Sequence, residues 1–469
     1  MSSEKSIIER IKNGESFDLK NLKKEVDKVD KKIFAIRSKN FSVNNNGGKL
    51  EGLPISVKDN ICVEGFPATA GSKILEDYRP EITATVVKKI QSSGGNIFAK
   101  TNQDELGFGT FSMNSAYEIP RNPYDTERVT GGSSGGAAAL TSALDQPHMA
   151  LGQSTGGSIS NPAAFCGVVG ITPTYGKVSR YGLIDYANSL DKIGTLAKRV
   201  EDAALLLDII SGKDEKDFTT LDRGNGSLAD VKPEVEGMKI GVPRQYLEFE
   251  GMNDKVREKF WESVKIFEDL GAEVKEVNMP KIAKEYVIPS YYIIAMSEAS
   301  TNLAKFCGMR YGIEKDPEKK SFNEYFSEMR SEGFGDEVKR RVLLGHFLRQ
   351  EGYKDAYYMK ALKVRRLVIE EYKTTFKEYD VLASPTMPIV APKIDEAKAI
   401  KPVEMYAMDT LTVGPNLAGI PHLSVPCGKV DGMPIGMHLI GDQFREDKIV
   451  AAAKAFENSF GTLERPKVV

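Results

Sequence analysis

The chain has 469 residues, 41% hydrophobic and 28% charged, and its 64 Lys and Arg against 66 Asp and Glu leave a net charge of −2. That balance excludes a disordered chain and gives no sign of a polybasic surface that coats nucleic acid or anionic membrane. No apolar run approaches the length that crosses a bilayer, and the charged N-terminal stretch has no signal-peptide core.

Residues 1–40 read as charged helices, with Ile7, Ile8 and Ile11, then Val26, Val29, Ile33 and Ile36, at helical spacing. The run Asn44, Asn45, Asn46, Gly47, Gly48 breaks the pattern. An N-terminal helical segment over 1–45 is therefore expected, followed by a single compact domain over 46–469. Residues 53–58 predict a strand with Ile55 and Val57 on one face and Ser56 and Lys58 on the other. Residues 83–93 predict a helix closed by Gly94 and Gly95, ahead of a short strand at 96–100. A polar, turn-rich stretch at 214–236 reads as a surface loop. Strands are predicted at 238–243 and 272–277, around a helix that carries Val256, Phe260, Val264, Phe267 and Leu270 and ends at Gly271. Residues 379–383 and 435–440 read as further buried strands. Strand–helix alternation over the whole length predicts an α/β protein with a mostly parallel or mixed sheet.

Cys62, Cys166, Cys307 and Cys427 stand far apart with no C-x-x-C pair, the pattern of reduced thiols in a cytoplasmic protein. The four histidines, His148, His346, His422 and His438, form no H-E-x-x-H pattern. They read as ordinary surface or loop residues, and no metal site is expected.

Residues 131–182 are different from the rest. Those 52 positions hold 11 glycines but only three charged residues, Asp145, Lys177 and Arg180. Two segments dominate, Gly131-Gly-Ser-Ser-Gly-Gly136 and Gly152-Gln-Ser-Thr-Gly-Gly-Ser158, each running into a helix-forming stretch. Glycine admits left-handed backbone and lets a ligand approach amide N–H groups, which are unpaired at a helix N-terminus. A phosphate-binding loop is disfavoured because no lysine follows the glycines as G-x-x-x-x-G-K-[ST] requires. A nucleophile elbow needs an apolar strand immediately before its serine. Residues 121–130 are polar, which excludes Ser134 from that role, whereas Ser154 follows a possible strand at 149–151 and could recruit His422 or His438. The third reading is a serine nucleophile served by a lysine.

That third reading is carried by a resemblance. The two glycine-rich segments, together with Lys58 in Pro54-Ile-Ser-Val-Lys-Asp-Asn60, resemble the amidase signature family over about residues 50–460. The resemblance implies a central mixed sheet surrounded by helices and a Ser–cis-Ser–Lys triad. By motif, Ser158 is the nucleophile, Ser134 the cis-peptide serine and Lys58 the base, and the 24 residues from Ser134 to Ser158 match the family's spacing. Backbone N–H groups of Thr155, Gly156 and Gly157 are placed to hold a tetrahedral oxyanion. The chemistry is reasonable on its own terms. A lysine with its reference pKa of about 10.4 is a poor base near neutrality, and a charge-poor shell disfavours its ammonium form. A serine hydroxyl between the two both donates and accepts a hydrogen bond.

The family usually reads G-S-D-T-G-G-S-I-R, whereas this chain has Ser154 in place of the Asp and Ser160 in place of the Arg. Both charges are missing together. This suggests that the two family residues pair, and that losing both avoids an unpaired buried charge.

Residues 405–412 and 415–428, with Ser297-Glu-Ala-Ser-Thr-Asn302, Gly333-Phe-Gly335, 337–341 and 173–182, resemble the A subunits of tRNA-dependent amidotransferases. This implies hydrolysis of glutamine, with the ammonia passed to a partner subunit that amidates Glu-tRNA(Gln) or Asp-tRNA(Asn). By motif, Asp409 would hold the glutamine α-ammonium and Arg341 its α-carboxylate, with Tyr292 lining the pocket; Arg340 and Tyr291 are the adjacent alternatives. The implied partners are subunits B and C of a heterotrimer, and charged tRNA is contacted mainly through the partner. No cofactor is expected on this chain, and ATP and Mg are expected to be used by the partner subunit. Two other readings remain: a free-standing amidase for small amides, and a scaffold whose triad no longer works.

Overall fold

The computed structural model describes residues 5–42, 46–223, 226–317 and 320–468. Asn44 and Asn45, part of the expected break, lie outside the described residues, as do residues 224 and 225 of the expected 214–236 loop.

Thirteen strands are formed among the described residues. The first five are β1 (Ile36–Lys39), β2 (Pro54–Lys58), β3 (Asn96–Thr101), β4 (Arg121–Asn122) and β5 (Asp125–Val129). Then come β6 (Met149–Ser154), β7 (Val169–Thr172), β8 (Lys192–Ala197), β9 (Lys239–Pro243) and β10 (Glu273–Val277). The last are β11 (Val381–Pro385), β12 (His422–Val430) and β13 (Met433–Gly441). Eleven of them build one sheet in the order β1-β3-β2-β6-β8-β7-β12-β13-β11-β9-β10, and β4 and β5 pair separately. β2 runs parallel to β3 and β6, and β9 parallel to β10 and β11, while β8, β7, β12 and β13 join the two parallel ends through antiparallel pairs. The fold is α/β with a mixed sheet, as the alternation predicts.

Helices cover both faces. Val57, Leu151, Ile171, Ile193, Leu423 and Leu439 point into one core, shared with the helices Val200–Ile210, Asp254–Asp269 and Glu446–Phe460. Residues of opposite parity, Ala150 and Leu196 among them, pack under the helices Leu19–Ile33, Gly135–Ala143 and Ser160–Cys166. Because both faces are covered, every residue of β2, β6, β8 and β13 is buried. No helix among the described residues is long and apolar enough to cross a membrane.

One element departs from its sequence pattern. Residues 36–39 are a strand, not the end of a helix. Phe34 takes a left-handed conformation (φ 49°) that ends the helix Leu19–Ile33, and Asp30 Oδ1 accepts the Ile36 N–H at 3.0 Å. The chain then turns out to pair antiparallel with β3 at the sheet edge.

Candidate active site

β2 and β6 are parallel neighbours, with Val57 opposite Leu151, so Lys58 and the Gln153–Ser154 end of β6 arrive at the same edge of the sheet. The turn 131–134 closes over them. Gly131 has φ +76°, and a Cβ at Gly132 would fall 2.2 Å from the Asp104 carboxylate, so neither position takes a side chain without disruption.

Lys58 is fully buried. Its Nζ lies 2.7 Å from Ser133 Oγ, 3.0 Å from Gln153 O and 3.2 Å from Gln153 Oε1. Burial pushes its pKa down to about 7, with Asp104 and Asp191 pulling the other way. A neutral amine has two N–H donors and one lone pair. The two Gln153 oxygens take the donors, which leaves the lone pair for the Ser133 hydroxyl.

The sequence spacing places the cis bond at Ser134; the structure has it between Gly132 and Ser133. Ser133, not Ser134, meets Lys58. Ser134 precedes the helix Gly135–Ala143, its Oγ donates to Gln153 O at 3.2 Å, and its N–H donates to Ser158 O at 3.1 Å. Counting 24 residues back from Ser158 therefore reaches the wrong hydroxyl: Ser133 and Ser158 are 25 apart. Adjacent side chains at a turn point in different directions, and a residue count cannot distinguish them.

Ser158 is nearly buried, at 6% exposure, in the loop between β6 and the helix Ser160–Cys166. Among the described residues, the N–H groups of Thr155, Gly156 and Gly157 donate to no protein acceptor, and Thr155 Oγ1 donates to Asp191 at 2.6 Å. Gly156 lies against the Tyr291 hydroxyl, and Gly157 is so close to Asn161 and Thr412 that a Cβ would meet both at 2.3 Å.

Asp409, Tyr292 and Arg341 come together beside this loop. Asp409 Oδ2 accepts from Tyr292 OH at 2.6 Å and Thr110 Oγ1 at 3.0 Å, and its Oδ1 accepts from Asn161 Nδ2 at 2.9 Å. Burial raises the Asp409 pKa, against the hydrogen bonds and the Arg341 charge. The Arg341 guanidinium sits in a box of rings, 5.2 Å from Phe108, 5.3 Å from Tyr292 and Tyr406, and 5.8 Å from Tyr186. Its Nε donates to Glu337 at 2.7 Å and its Nη1 to Tyr186 OH at 2.8 Å; Nη2 has no partner among the described residues. Arg340 turns outward to Glu337 with a half-exposed side chain. The helix carrying Arg341, Asp336–Leu348, begins after Gly335, whose N–H donates to the buried Glu105 at 2.9 Å. The Gly333-Phe-Gly335 segment is thus tied to the chain just beyond β3.

The chain matches the family model described as Amidase over residues 27–450. The chain belongs to the amidase signature family. The A subunit of the Methanosarcina barkeri glutamyl-tRNA(Gln) amidotransferase is 48% identical over 434 residues, covering 92% of this chain and 90% of that protein. Its Halothermothrix orenii counterpart is 46% identical over 454 residues, covering 95% and 94%. The crystal structure of the Thermotoga maritima counterpart superposes with a TM-score of 0.85 at 39% identity, over 99% of this chain and 98% of that one.

Several polar groups of this amidase were invisible in its sequence pattern. Gln153 joins Lys58 to Asp191, and Tyr186 holds Arg341. Three histidines that read as ordinary surface or loop residues are buried, His438 within the strand that its segment predicts. His148 bonds Ser56 at 2.9 Å, and His422 and His438 stand on strands covered on both faces. Burial lowers the pKa of all three, to about 3 for His148 and His438. No group of three or more potential metal ligands occurs among the described residues.

Proposed function

We propose that this chain is the glutamine-hydrolysing subunit of a tRNA-dependent amidotransferase, with Ser158 as nucleophile. The observation that carries this reading is the buried Lys58 amine, held 2.7 Å from Ser133 Oγ with both of its neutral-state N–H donors satisfied by Gln153. Asp409 and Arg341, opposite in charge and on the same side of the loop, suit the two ends of an α-amino acid.

In this mechanism Ser158 Oγ bonds to the glutamine side-chain amide carbon. Its proton passes to Ser133 Oγ as the Ser133 proton passes to Lys58 Nζ. The oxyanion accepts from the N–H groups of Thr155, Gly156 and Gly157. The Lys58 proton returns through Ser133 to the leaving nitrogen, the C–N bond breaks, and ammonia departs. Water then hydrolyses the glutamyl ester on Ser158 to glutamate by the same relay.

Subunits B and C, ATP and Mg on the partner subunit, charged tRNA held mainly by that partner, and a cytoplasmic setting belong to the same reading. Their support is the near-half identity to A subunits along nearly the whole chain. The test is ammonia release from glutamine, measured for the chain alone and with B and C subunits and misacylated tRNA. Release that depends on Ser158 is expected. No release in either condition, or a Ser158→Ala variant equal to wild type, overturns the reading. Turnover of simple amides but not glutamine points instead to a free-standing amidase.

A further inference from the structure

Ser154 and Ser160, the two positions where the resemblance implies Asp and Arg, flank Ser158 at the end of β6 and the start of the next helix. Gly152 faces Ile159 and Ser134, and Ser154, two residues along β6, faces the same way. Lys192 lies opposite Ser154 in the neighbouring strand, and its buried Nζ donates to Ile420 O at 3.1 Å, two residues before His422. Ser160 opens the helix that follows Ser158, and its Oγ lies 3.1 Å from His422 Nδ1.

His422 is itself fixed from two sides. His438 Nε2 is 2.8 Å from its Nδ1, and Asn416 Nδ2 is 3.2 Å from its Nε2. Since Asn416 donates there, the proton of the neutral ring sits on Nδ1, between His438 and Ser160. Asn416 belongs to the helix Thr410–Ala418, which follows Asp409 and presents Thr412 to Gly157. The serine therefore ends in an imidazole that spans the nucleophile loop and the Asp409 helix. A longer side chain leaving the same Cβ along the Ser160 Oγ direction would run into that ring.

We propose that the Ser160–His422–His438 cluster braces the Ser158 loop at the place where the family pattern suggests an Asp–Arg pair, and that His422 is a positioning residue acting through Ser160. The network is neutral, so the loop has a brace without a buried unpaired charge. This inference rests on the reading of Ser158 as nucleophile.

The test is a cycle of full-length variants: Ser160→Arg, His422→Ala, their combination, and the combination with Ser154→Asp. Three measurements are made on each: glutamine kcat and KM, the rate at which an organofluorophosphonate labels Ser158, and the thermal midpoint. Ser160→Arg alone should lose about 10- to 100-fold in kcat and labelling, the scale of a misplaced reacting group, with KM little changed. Ser154→Asp/Ser160→Arg/His422→Ala should return to within about 10-fold of wild type. His422→Asn, which keeps an amide near the Nδ1 position, should retain more kcat than His422→Leu at equal thermal midpoint. Labelling and melting need no glutamine, so a chain inactive on glutamine overturns the glutaminase reading while the coupling is still read. Equal effects of Ser160→Arg with His422 or with Ala at position 422, or failure of the triple variant to recover, overturn the proposal.

Discussion

Asp191 Oδ1 lies 3.0 Å from Gln153 Nε2, while the other end of that amide, Oε1, faces Lys58 Nζ at 3.2 Å. The carboxylate thus acts on the lysine through one intervening amide. Asp191 favours the Lys58 ammonium and opposes the burial that lowers its pKa to about 7. The expected glutaminase profile of kcat/KM rises through about pH 7 as the amine loses its proton. Burial raises the Asp191 pKa to about 7, so its charge builds up over the same range; in Asp191→Asn that charge is gone, the Lys58 pKa falls further and this acid limb moves to lower pH. Asp191 also accepts from Thr155 Oγ1 and from the Tyr186 and Ala187 N–H groups, so the variant should lose roughly 1–3 kcal/mol of stability. A pH–rate series and a denaturant titration check the two effects separately. An acid limb that stays in place, or moves up, is inconsistent with Asp191 acting on Lys58.

Ser133 and Ser134 are neighbours with different partners, and they should separate cleanly by substitution. Ser133→Ala removes the hydroxyl that lies 2.7 Å from Lys58 Nζ and should lower kcat by about 10²- to 10⁴-fold. Ser134→Ala removes a 3.2 Å bond to the Gln153 carbonyl and leaves the backbone link from Ser134 N–H to Ser158 O, so the loss should stay within about 10-fold. Steady-state ammonia release from glutamine decides between them. The reverse order of effects would route the proton through Ser134.

How far the sequence can be read depends on what each inference needed. Lys58 at the end of an alternating strand, and the glycine-rich loop that holds Ser158, are legible as local pattern, whereas their roles as base and nucleophile come only from the resemblance to the amidase signature family. The choice between Ser133 and Ser134 depends on the direction of a hydroxyl at a turn, and no spacing rule contains that direction. Gln153 and Tyr186 were missed because their partners are far along the chain, as with the 155 residues between Tyr186 and Arg341, whereas Glu337 stands one helical turn from Arg341 and its pairing is legible from helical spacing. The β12 histidine stands in an alternation, His422-Leu-Ser-Val, that looks half-exposed. It is buried because helices cover both faces of the sheet, a fact of tertiary structure alone. Residues 36–39 look helical by the spacing of Ile33 and Ile36, but the left-handed Phe34 intervenes.

Arg341 and Arg340 offer a similar contrast on one helix. Arg341 is 3% exposed and boxed by four rings, whereas the Arg340 side chain is 41% exposed. Replacing Arg341 by Lys keeps the charge but loses the planar fork, and should lower kcat/KM for glutamine by about 100-fold, mainly through KM. Arg340→Ala should change kcat/KM by less than about 3-fold, as expected for an exposed ion pair. Asp409→Asn should resemble Arg341→Lys, since it removes the charge proposed to meet the α-ammonium while keeping an acceptor for Tyr292. Michaelis curves for glutamine are the check. Equal losses at 340 and 341 would place the carboxylate elsewhere.

Ser154→Asp alone is the most direct probe of why two family charges are absent together. At position 154 the new carboxylate would sit on a fully buried strand end, with Ser160 in place of the arginine. Opposite it across the β6–β8 pair stands Lys192, whose pKa burial has lowered to about 7 and whose Nζ already donates to Ile420 O. An anion there would favour the Lys192 ammonium, which offsets part of its own cost but withdraws Nζ from Ile420 and adds charge beside His422. The net expectation is a loss of about 3 kcal/mol or more, the cost of an imperfectly paired buried charge. The loss should shrink below pH 6, where the new carboxyl is protonated in the folded state before it is in the unfolded chain; a raised carboxyl pKa makes stability fall as pH rises through it. Thermal or urea unfolding of Ser154→Asp at pH 5.5 and 8 measures this directly. A variant as stable and as active as wild type at pH 8 would show that the two family residues do not depend on each other in this chain.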